Sequence, residues 1–305
     1  MKQIKFLLPL ILCVLTLPSI LIYCKKGSVA DLVAFSYNRP IQLYALLESI
    51  ECYVTGLNQV HVIYRSTDQD YETAYQEVKK SFPSVIFHKQ GIHPRKDFKP
   101  LTLKATFESP SKYILFAVDD IIVKDFIDIK KSIKLLEKTK AYGFYFRLGQ
   151  NLNWCYTLNK PQANPKFIHI QNDVYAWHIK SGQHDWGYPN TVDMTLYRKK
   201  DVELDLRAMN YYAPNPLEGQ WSGRAYKIRR ENKMGLCYNT TKIVNLPLNR
   251  VQDVYKNRHM GTLDTKELLD IFNQGEKIDI ASLFKIQNKS AHMDYEPTFI
   301  KRVCV

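Results

Sequence analysis

Short apolar runs alternate with helical patterns through the first half of the chain. The runs that suit buried strands cover residues 32–35, 60–64, 85–87 and 113–118. Between them, apolar side chains recur at helical spacing, first at positions 41, 44, 47, 50 and 54 and then at 71, 75, 78 and 82. A third helix is predicted over residues 100–107. This alternation is typical of a mostly parallel sheet with helices on both faces, so the pattern predicts an α/β/α sandwich.

The residues after the first strand predict where the first helix begins. Asn38 and Pro40 follow the first strand, and because Asn is a good N-cap and Pro suits the first turn, we expect a helix to begin there.

The second half of the chain has a less regular pattern. Strands are predicted at 142–148, 174–177 and 195–197, loops at 151–166 and 185–190, and a helix at 263–272 that is capped near Thr262. No repeat or flexible linker divides residues 27–305, which are therefore predicted to form one domain.

A separate apolar segment covers residues 6–24, with two lysines before it and two after it. Its length is marginal for a membrane span, which needs about 20 apolar residues. We expect residues 1–26 to form a hydrophobic helix that anchors the chain in a membrane by a single pass. Two alternatives stay open, namely a signal peptide cleaved after Ala30 and a helix buried in the core.

Charge and cysteine content narrow the classes of function. The 305 residues carry a net charge of +13, which favours a partner with negative charge, such as nucleic acid, an anionic membrane or a phosphate-bearing substrate. No basic helix, RNA-binding aromatic motif or zinc finger accompanies this charge, so we expect no nucleic-acid partner. The six cysteines form no Cys-x-x-Cys pair, and the usual P-loop, dinucleotide, zincin and hydrolase motifs are absent from the sequence.

Two adjacent carboxylates, Asp119 and Asp120, follow the apolar run at 113–118. Carboxylates at the end of a buried strand are costly unless they bind a cation, pair with basic groups or face water. Oxygen ligands of this kind suit Mg²⁺ or Mn²⁺, either of which would also bridge substrate phosphates. The structural alternative is a solvated turn in which one Asp caps the next helix. Since ligands of parallel sheets bind at the carboxyl ends of the strands, this pair should lie near residues 36–39 and 66–68.

Residues 32–125 resemble the nucleotide-sugar-binding half of a GT-A glycosyltransferase, similar to family 2. The resemblance rests on Phe-Ser-Tyr-Asn-Arg-Pro at 35–40, Ser-Thr-Asp at 66–68 and Phe-Ala-Val-Asp-Asp-Ile at 116–121. Segments at 147–149, 185–189, 217–219 and 245–250 resemble a poorly characterised bacterial branch of the same group. The resemblance implies a GT-A domain of Rossmann-like type in which residues 27–128 bind the nucleotide sugar and residues 129–305 bind the acceptor.

The chain departs from the family at its most telling motif. The family pattern is Asp-x-Asp, whereas here the two carboxylates are adjacent. Either Val118 stands in place of the first Asp or Ile121 stands in place of the last. In the register that we favour, Asp120 is the last residue of the motif and binds the metal directly. Asp119 then reaches a ribose hydroxyl or a metal-bound water.

The resemblance also implies roles for residues elsewhere in the chain. His292 would complete the metal shell, Glu218 would act as the catalytic base, and Asp193 is the second candidate for that base. Each of them has a structural alternative, such as a surface position, a helix cap or an ion pair. Aromatic side chains that would suit a sugar-binding cleft are Trp154, Tyr156, Trp186, Tyr188 and Trp221. The donor would be held by Ser36, Asn38, Arg39, Asp68, Lys104 and Asp119.

These features together predict a membrane-anchored glycosyltransferase that uses a divalent metal, Mn²⁺ or Mg²⁺. It would move a sugar from a nucleotide-sugar donor to a glycan or lipid-linked acceptor, with inversion at the sugar carbon. The alternative is a non-catalytic relative that binds carbohydrate or nucleotide and has lost the full Asp-x-Asp motif. In a bacterium nucleotide sugars are cytosolic, so an active domain is expected to face the cytosol.

Overall fold

The computed structural model describes residues 29–252, 254 and 258–302. Its strands are β1 Ala30–Tyr37, β2 Val54–Thr55, β3 Leu57–Arg65, β4 Ile86–Lys89, β5 Tyr113–Val118, β6 Ile121–Val123, β7 Ile127–Asp128, β8 Gly143–Gly149, β9 Trp154–Cys155, β10 Lys160–Pro161, β11 Ile168–Gln171, β12 Val174–His178, β13 Thr195–Arg198, β14 Met234–Tyr238, β15 Ile243–Asn245, β16 Glu276–Ile278 and β17 Phe299–Lys301. Its α-helices are α1 Pro40–Tyr53, α2 Gln69–Ser81, α3 Pro94–Phe107, α4 Ile129–Thr139, α5 Lys199–Ala208, α6 Pro214–Gly223, α7 Tyr226–Arg230 and α8 Thr265–Asn273.

The central sheet has nine strands in the order β11-β12-β14-β8-β13-β5-β1-β3-β4. The four strands from β5 to β4 are parallel neighbours. β13 runs antiparallel to both β5 and β8, β14 is parallel to β8, and β12 is antiparallel to both β14 and β11. Seven of the nine strands therefore point the same way, and the predicted mixed α/β fold with a mostly parallel sheet is confirmed.

The sheet separates two apolar cores, as the alternation of side chains along β1 illustrates. Leu32 and Ala34 face a core that includes the apolar sides of α1, α2, α4 and α8. Val33 and Phe35 face the opposite core, to which α3, α5, α6 and α7 contribute. Because helices cover both faces of the central strands, an open site for a ligand is expected where the strands end.

Three local predictions about helix ends are wrong. Arg39, not Asn38, is the N-cap of α1, because Asn38 adopts a left-handed conformation with φ of 52° and its side chain bonds to Thr67 instead. α3 begins at Pro94 rather than at residue 100; its additional turn packs the buried Phe98 against the ring of Phe35.

The third concerns α8. It is capped by Asp264, whose side chain accepts from the backbone N–H of Glu267 while the Glu267 carboxylate accepts from that of Asp264. This reciprocal pair is a capping box, which satisfies two backbone donors at once and so displaces the predicted cap near Thr262.

The apolar segment at residues 6–24 lies outside the described residues. Within the described part of the chain, no helix is long and apolar enough to cross a membrane.

Candidate active site

A cleft of about 1170 Å³ opens at the carboxyl ends of β1, β3 and β5. This is the edge of the sheet at which the sequence predicted a ligand site. Three of the predicted donor contacts, Asn38, Asp68 and Lys104, do not line it. The other seven predicted site residues all do, namely Ser36, Arg39, Asp119, Asp120, Asp193, Glu218 and His292.

The turn after β1 is held by a buried ion pair. Arg39 donates from Nη1 to Oδ1 of Asp119 at 2.9 Å, and both side chains are nearly inaccessible to solvent. The second carboxylate oxygen of Asp119 accepts from the backbone N–H of Tyr37 at 3.2 Å. Asp119 is thus neutralised by protein groups, and this accounts for a charge that would otherwise be costly at this depth.

Arg39 also ties this turn to a distant part of the chain. Its Nε donates to Oδ1 of Asn249 at 2.8 Å, and its Nη2 donates to the carbonyl oxygen of Asn249 at 2.5 Å. All three donor positions point to protein acceptors, an arrangement that uses the planar fork of a guanidinium. The segment after β15 is therefore fixed against the turn after β1.

Three of the other predicted donor residues have structural partners. The Ser36 hydroxyl lies 2.7 Å from the hydroxyl of Tyr75, and the side chain of Asn38 bonds to Thr67. Asp68 caps α2 by accepting the backbone N–H groups of Asp70 and Tyr71 at 3.0 and 3.2 Å. Lys104 lies in the last turn of α3. These hydrogen bonds show that Ser36, Asn38 and Asp68 have structural roles, and the donor contacts predicted for them stay predictions.

Asp120 differs from its neighbour because no arginine pairs with it directly among the described residues. Its Oδ1 accepts from the side-chain nitrogen of Asn245 at 3.3 Å. Burial raises the pKa of Asp120 to about 6 and the charges of Asp119 and Asp193 add to the rise, whereas Arg39 and His292 oppose it. Because burial outweighs these two positive charges, the Asp120 carboxylate would be stabilised by a bound cation.

A second pair of acidic side chains lines the same cleft. Glu218 lies on α6, and its Oε1 accepts from the backbone N–H of Val192 at 3.0 Å. Burial raises the pKa of Glu218 well above the ordinary range for a carboxyl, and the charge of nearby Asp193 raises it further. A carboxyl group with a raised pKa is suited to accept or return a proton near neutral pH.

Arg147 is a buried charged residue of the cleft to which the sequence analysis assigned no role. It is 2% exposed, and it donates to Oδ1 and the carbonyl oxygen of Asp185 and to the carbonyl oxygen of Tyr188, at 3.3 to 3.4 Å. Asp193 and Glu218 also act on it electrostatically. The Arg-Leu-Gly segment at 147–149 was visible in the sequence, but only the fold shows that it comes near these carboxylates.

His292 and Asp120 reach the cleft from segments that are far apart in sequence. His292 forms an isolated β-bridge with Asn245, and its ring stacks on that of Tyr156 with centroids 5.7 Å apart. Its charge acts on Asp120. Among the residues that the structure describes, no group of three or more His, Cys, Asp and Glu side chains is arranged to hold a metal ion. One carboxylate and one imidazole would need ligands from a substrate or water to complete a shell.

The predicted aromatic wall is only partly present. Tyr156 and Tyr188 line the cleft, whereas Trp154 does not. Trp186 and Trp221 are buried in the second core and do not line the cleft either, so the hypothesis that they stack on a sugar is wrong. Burial of their large apolar rings in the core is the reason.

Basic side chains surround the opening of the cleft. The guanidinium of Arg65 lies 4.6 Å from the ring centroid of Tyr37, and that of Arg95 lies 5.1 Å from the ring centroid of Tyr212. Lys96, Arg250 and Arg258 also line the cleft. An opening with this charge attracts anionic ligands.

In an alignment of 264 positions that covers 76% of this chain, the chain is 26% identical to the bifunctional glycosyltransferase pgtA of Dictyostelium discoideum. The chain is thus similar to a known glycosyltransferase over most of its length. The resemblance predicted from the sequence motifs is thereby confirmed, and the similarity supports an enzyme of this class. The match covers 33% of pgtA, so the chain spans about a third of that relative's length.

The other comparisons found only more distant similarity. No protein-family model matches the chain. Similar solved structures include TarS of S. aureus, at 13% identity and a TM-score of 0.45 over 68% of this chain and 35% of that one. TarS 1–349 in complex with UDP has 10% identity and a TM-score of 0.43 over 69% and 58% of the two chains. The mannosyltransferase PcManGT from Pyrobaculum calidifontis, in complex with GDP-Man and Mn²⁺, has 8% identity and a TM-score of 0.37 over 69% and 55%. The bacterial branch stays a prediction.

Proposed function

We propose that this chain is a metal-dependent glycosyltransferase that moves a sugar from a nucleoside-diphosphate donor to an acceptor hydroxyl. The observation that carries the proposal is the meeting of two acidic sites in one cleft at the carboxyl edge of the sheet. One site holds Asp119 and Asp120, and the other holds Asp193 and Glu218. A transfer reaction needs one group to hold the leaving diphosphate and another to activate the incoming hydroxyl.

Asp120 and His292 are the residues that would hold a divalent cation, with the diphosphate of the donor and water completing its shell. The mixed oxygen and nitrogen set suits Mn²⁺ at least as well as Mg²⁺. When bound, such an ion supplies positive charge to the diphosphate that leaves with the bond electrons. Asp119 contributes differently, since its pairing with Arg39 fixes the turn that lies beside the donor.

Glu218 is the proposed base. As the acceptor oxygen bonds to the anomeric carbon, the bond from that carbon to the diphosphate oxygen breaks, and the hydroxyl proton passes to the Glu218 carboxylate. Attack from the side opposite the leaving group inverts the configuration of that carbon. Asp193 stays the second candidate for the base, because it lines the cleft near Glu218.

The class of acceptor and the location rest on further features of the chain. The basic opening of the cleft favours a donor or acceptor that carries phosphate, and the aromatic rings of Tyr156 and Tyr188 favour a glycan. The apolar segment at residues 6–24 supports a membrane-associated enzyme whose catalytic domain faces a compartment that contains nucleotide sugars.

Calorimetric titration of UDP and then GDP into the protein, with and without Mn²⁺, tests the donor site. We expect one nucleotide to bind only in the presence of the metal and the Asp120→Asn variant to lose that binding. A radiolabelled sugar donor then tests for catalysis. A transferase releases the nucleoside diphosphate when it transfers the sugar to an acceptor or, more slowly, to water. Metal-dependent nucleotide binding without release of the nucleoside diphosphate would favour the alternative of a non-catalytic relative. The observation that supports this alternative is the lack of a complete metal cluster among the described residues.

A further inference from the structure

Asn245 lies between the two acidic sites of the cleft. Its side chain is almost completely buried, at 1% exposure of the residue. The side-chain nitrogen donates to Oδ1 of Asp120 and to Oδ1 of Asp193, at 3.3 Å in each case. A primary amide has two N–H groups, so one nitrogen is able to serve two acceptors. Asp120 follows β5 and Asp193 precedes β13, which are neighbouring strands of the central sheet.

The main chain of Asn245 is fixed independently of that amide. Asn245 pairs with Ile121 in the β15–β6 ladder, its N–H donates to the carbonyl oxygen of Ala291, and its own carbonyl oxygen accepts from the N–H of Met293, both at 3.0 Å. The N–H of the next residue, Leu246, donates to the carbonyl oxygen of Asp120 at 2.7 Å. Removing the side-chain amide therefore leaves the backbone bonds intact, and its effect is separable from the folding of β15.

An amide also suits the charges on either side of it. Two carboxylates in a partly buried cleft repel each other, and hydrogen bonds from a shared donor hold them close without adding charge. A lysine at this position would form an ion pair and compete with any bound cation. An aspartate would add a third negative charge. Among side chains of this size, an amide donates two hydrogen bonds while remaining neutral.

We propose that Asn245 is a positioning residue that holds Asp120 and Asp193 at one fixed separation, and so fixes the donor side of the cleft relative to the acceptor side. This inference rests on the proposed transferase function. Asn245 itself does not exchange a proton with the substrate. Its contribution is to keep the donor and the acceptor hydroxyl aligned. Alignment matters because a small misplacement of the reacting groups lowers the rate by a large factor.

A graded series of variants in the full chain tests the proposal. Asn245→Ser retains one donor and Asn245→Ala retains none, so we expect kcat to fall about threefold to tenfold in the first and at least thirtyfold in the second. The KM for the donor should change less than threefold in both. Asn288→Ala is the matched control, because Asn288 is also a buried amide, but its side chain bonds to Asn151, Thr241 and the Ser290 carbonyl and, among the described residues, to no carboxylate. It should leave the kcat within twofold of the wild type.

Unfolding by denaturant supplies a readout that does not depend on activity. Asn245→Ala should lower the unfolding midpoint more in the wild type than in the Asp193→Ala background, because the hydrogen bond from Asn245 to Asp193 is already absent there. Additive midpoint shifts, or an Asn245→Ala variant with wild-type kcat, would overturn the inference. A wild-type protein that releases no nucleoside diphosphate from any donor would instead overturn the proposed function. The additivity of the midpoint shifts would still decide whether Asn245 connects Asp120 to Asp193.

Discussion

Arg39 and Asp119 form an ion pair in which Nη1 and Oδ1 are 2.9 Å apart and both side chains are almost fully withdrawn from water. The pair joins the turn after β1 to the end of β5, and Arg39 extends the connection to Asn249. A pair at this depth is costly to assemble but far more costly to break, because the remaining partner is left as an unpaired buried charge. The shape of the donor side of the cleft therefore depends on it.

Replacing Arg39 by Met should destabilise the fold by about 3–5 kcal/mol, because Asp119 is left buried without its partner. The free energy of unfolding, measured by chemical denaturation, checks this. Lys80→Met is the control, since Lys80 and Glu77 form a pair whose side chains are 72% and 46% exposed. Its loss should cost no more than about 1 kcal/mol. Equal effects of the two substitutions would contradict the assignment of Arg39 to a buried pair.

Asp120→Asn should make the protein more stable at neutral pH while it removes metal-dependent nucleotide binding. The carboxyl has a folded-state pKa of about 6, above its value in the unfolded chain, so the folded state binds more protons between about pH 4 and pH 6. The wild type therefore loses stability as pH rises through that window. The gain of the variant should be on the order of 1–3 kcal/mol above pH 6 and should vanish below about pH 4.

Thermal unfolding of the wild type and Asp120→Asn at pH 4 and pH 8 measures this difference. A variant that is less stable than the wild type at pH 8 would show that Asp120 is stabilised by protein groups rather than held in a strained charged form. Glu77→Gln provides a control for a substitution of similar chemistry at an exposed acidic residue.

Nucleotide binding in the presence of Mn²⁺ should depend on pH through the same group. A metal ligand has to be deprotonated, so protonation of Asp120 competes with the metal. The association constant should fall about tenfold per pH unit below pH 6 and level off above it. Calorimetric titrations between pH 5 and pH 8 check this, provided that binding without metal is measured at each pH. Binding that is independent of pH across that range would remove Asp120 from the metal shell.

The parts of this molecule that the sequence predicted share a physical cause. Apolar periodicity predicted β1, β3, β5 and most of the helices between them, because burial on the sheet selects side chains at fixed intervals. The convergence of Ser36, Arg39 and Asp119 at one edge followed from the parallel direction of those strands.

What the sequence did not predict depends on contacts between distant segments. The bonds from Arg39 to Asn249 span 210 positions, and those from Asn245 to Asp120 span 125. β15 has three residues and pairs with β6, which also has three, so neither has enough length for a periodic pattern. The N-cap position of α1 was likewise assigned to Asn38 instead of Arg39, because the competing partner of Asn38, Thr67, lies on another loop.

Glu218→Gln should lower kcat by about 10²–10⁴-fold with little change in donor affinity, because the side chain keeps its size and its acceptor for the Val192 N–H but no longer takes a proton. Asp193→Asn should have a smaller effect if Glu218 is the base. Steady-state kinetics with a labelled donor, together with nucleotide titration of each variant, measure both quantities. A larger loss in Asp193→Asn than in Glu218→Gln would reverse the two assignments.

Close backbone packing around the 3₁₀ turn His184–Gly187 gives a final prediction. A Cβ on Gly182 would lie 2.3 Å from the carbonyl oxygen of Trp186, so Gly182→Ala must displace the turn that carries Asp185 to Arg147. We expect a loss of about 1–3 kcal/mol in stability and a lower kcat. Gly223→Ala is the control, because a Cβ there meets no atom within 4 Å and the position closes α6. Alanine at that position should be neutral or stabilise the helix by up to about 1 kcal/mol, so the two glycine substitutions should shift the unfolding midpoint differently.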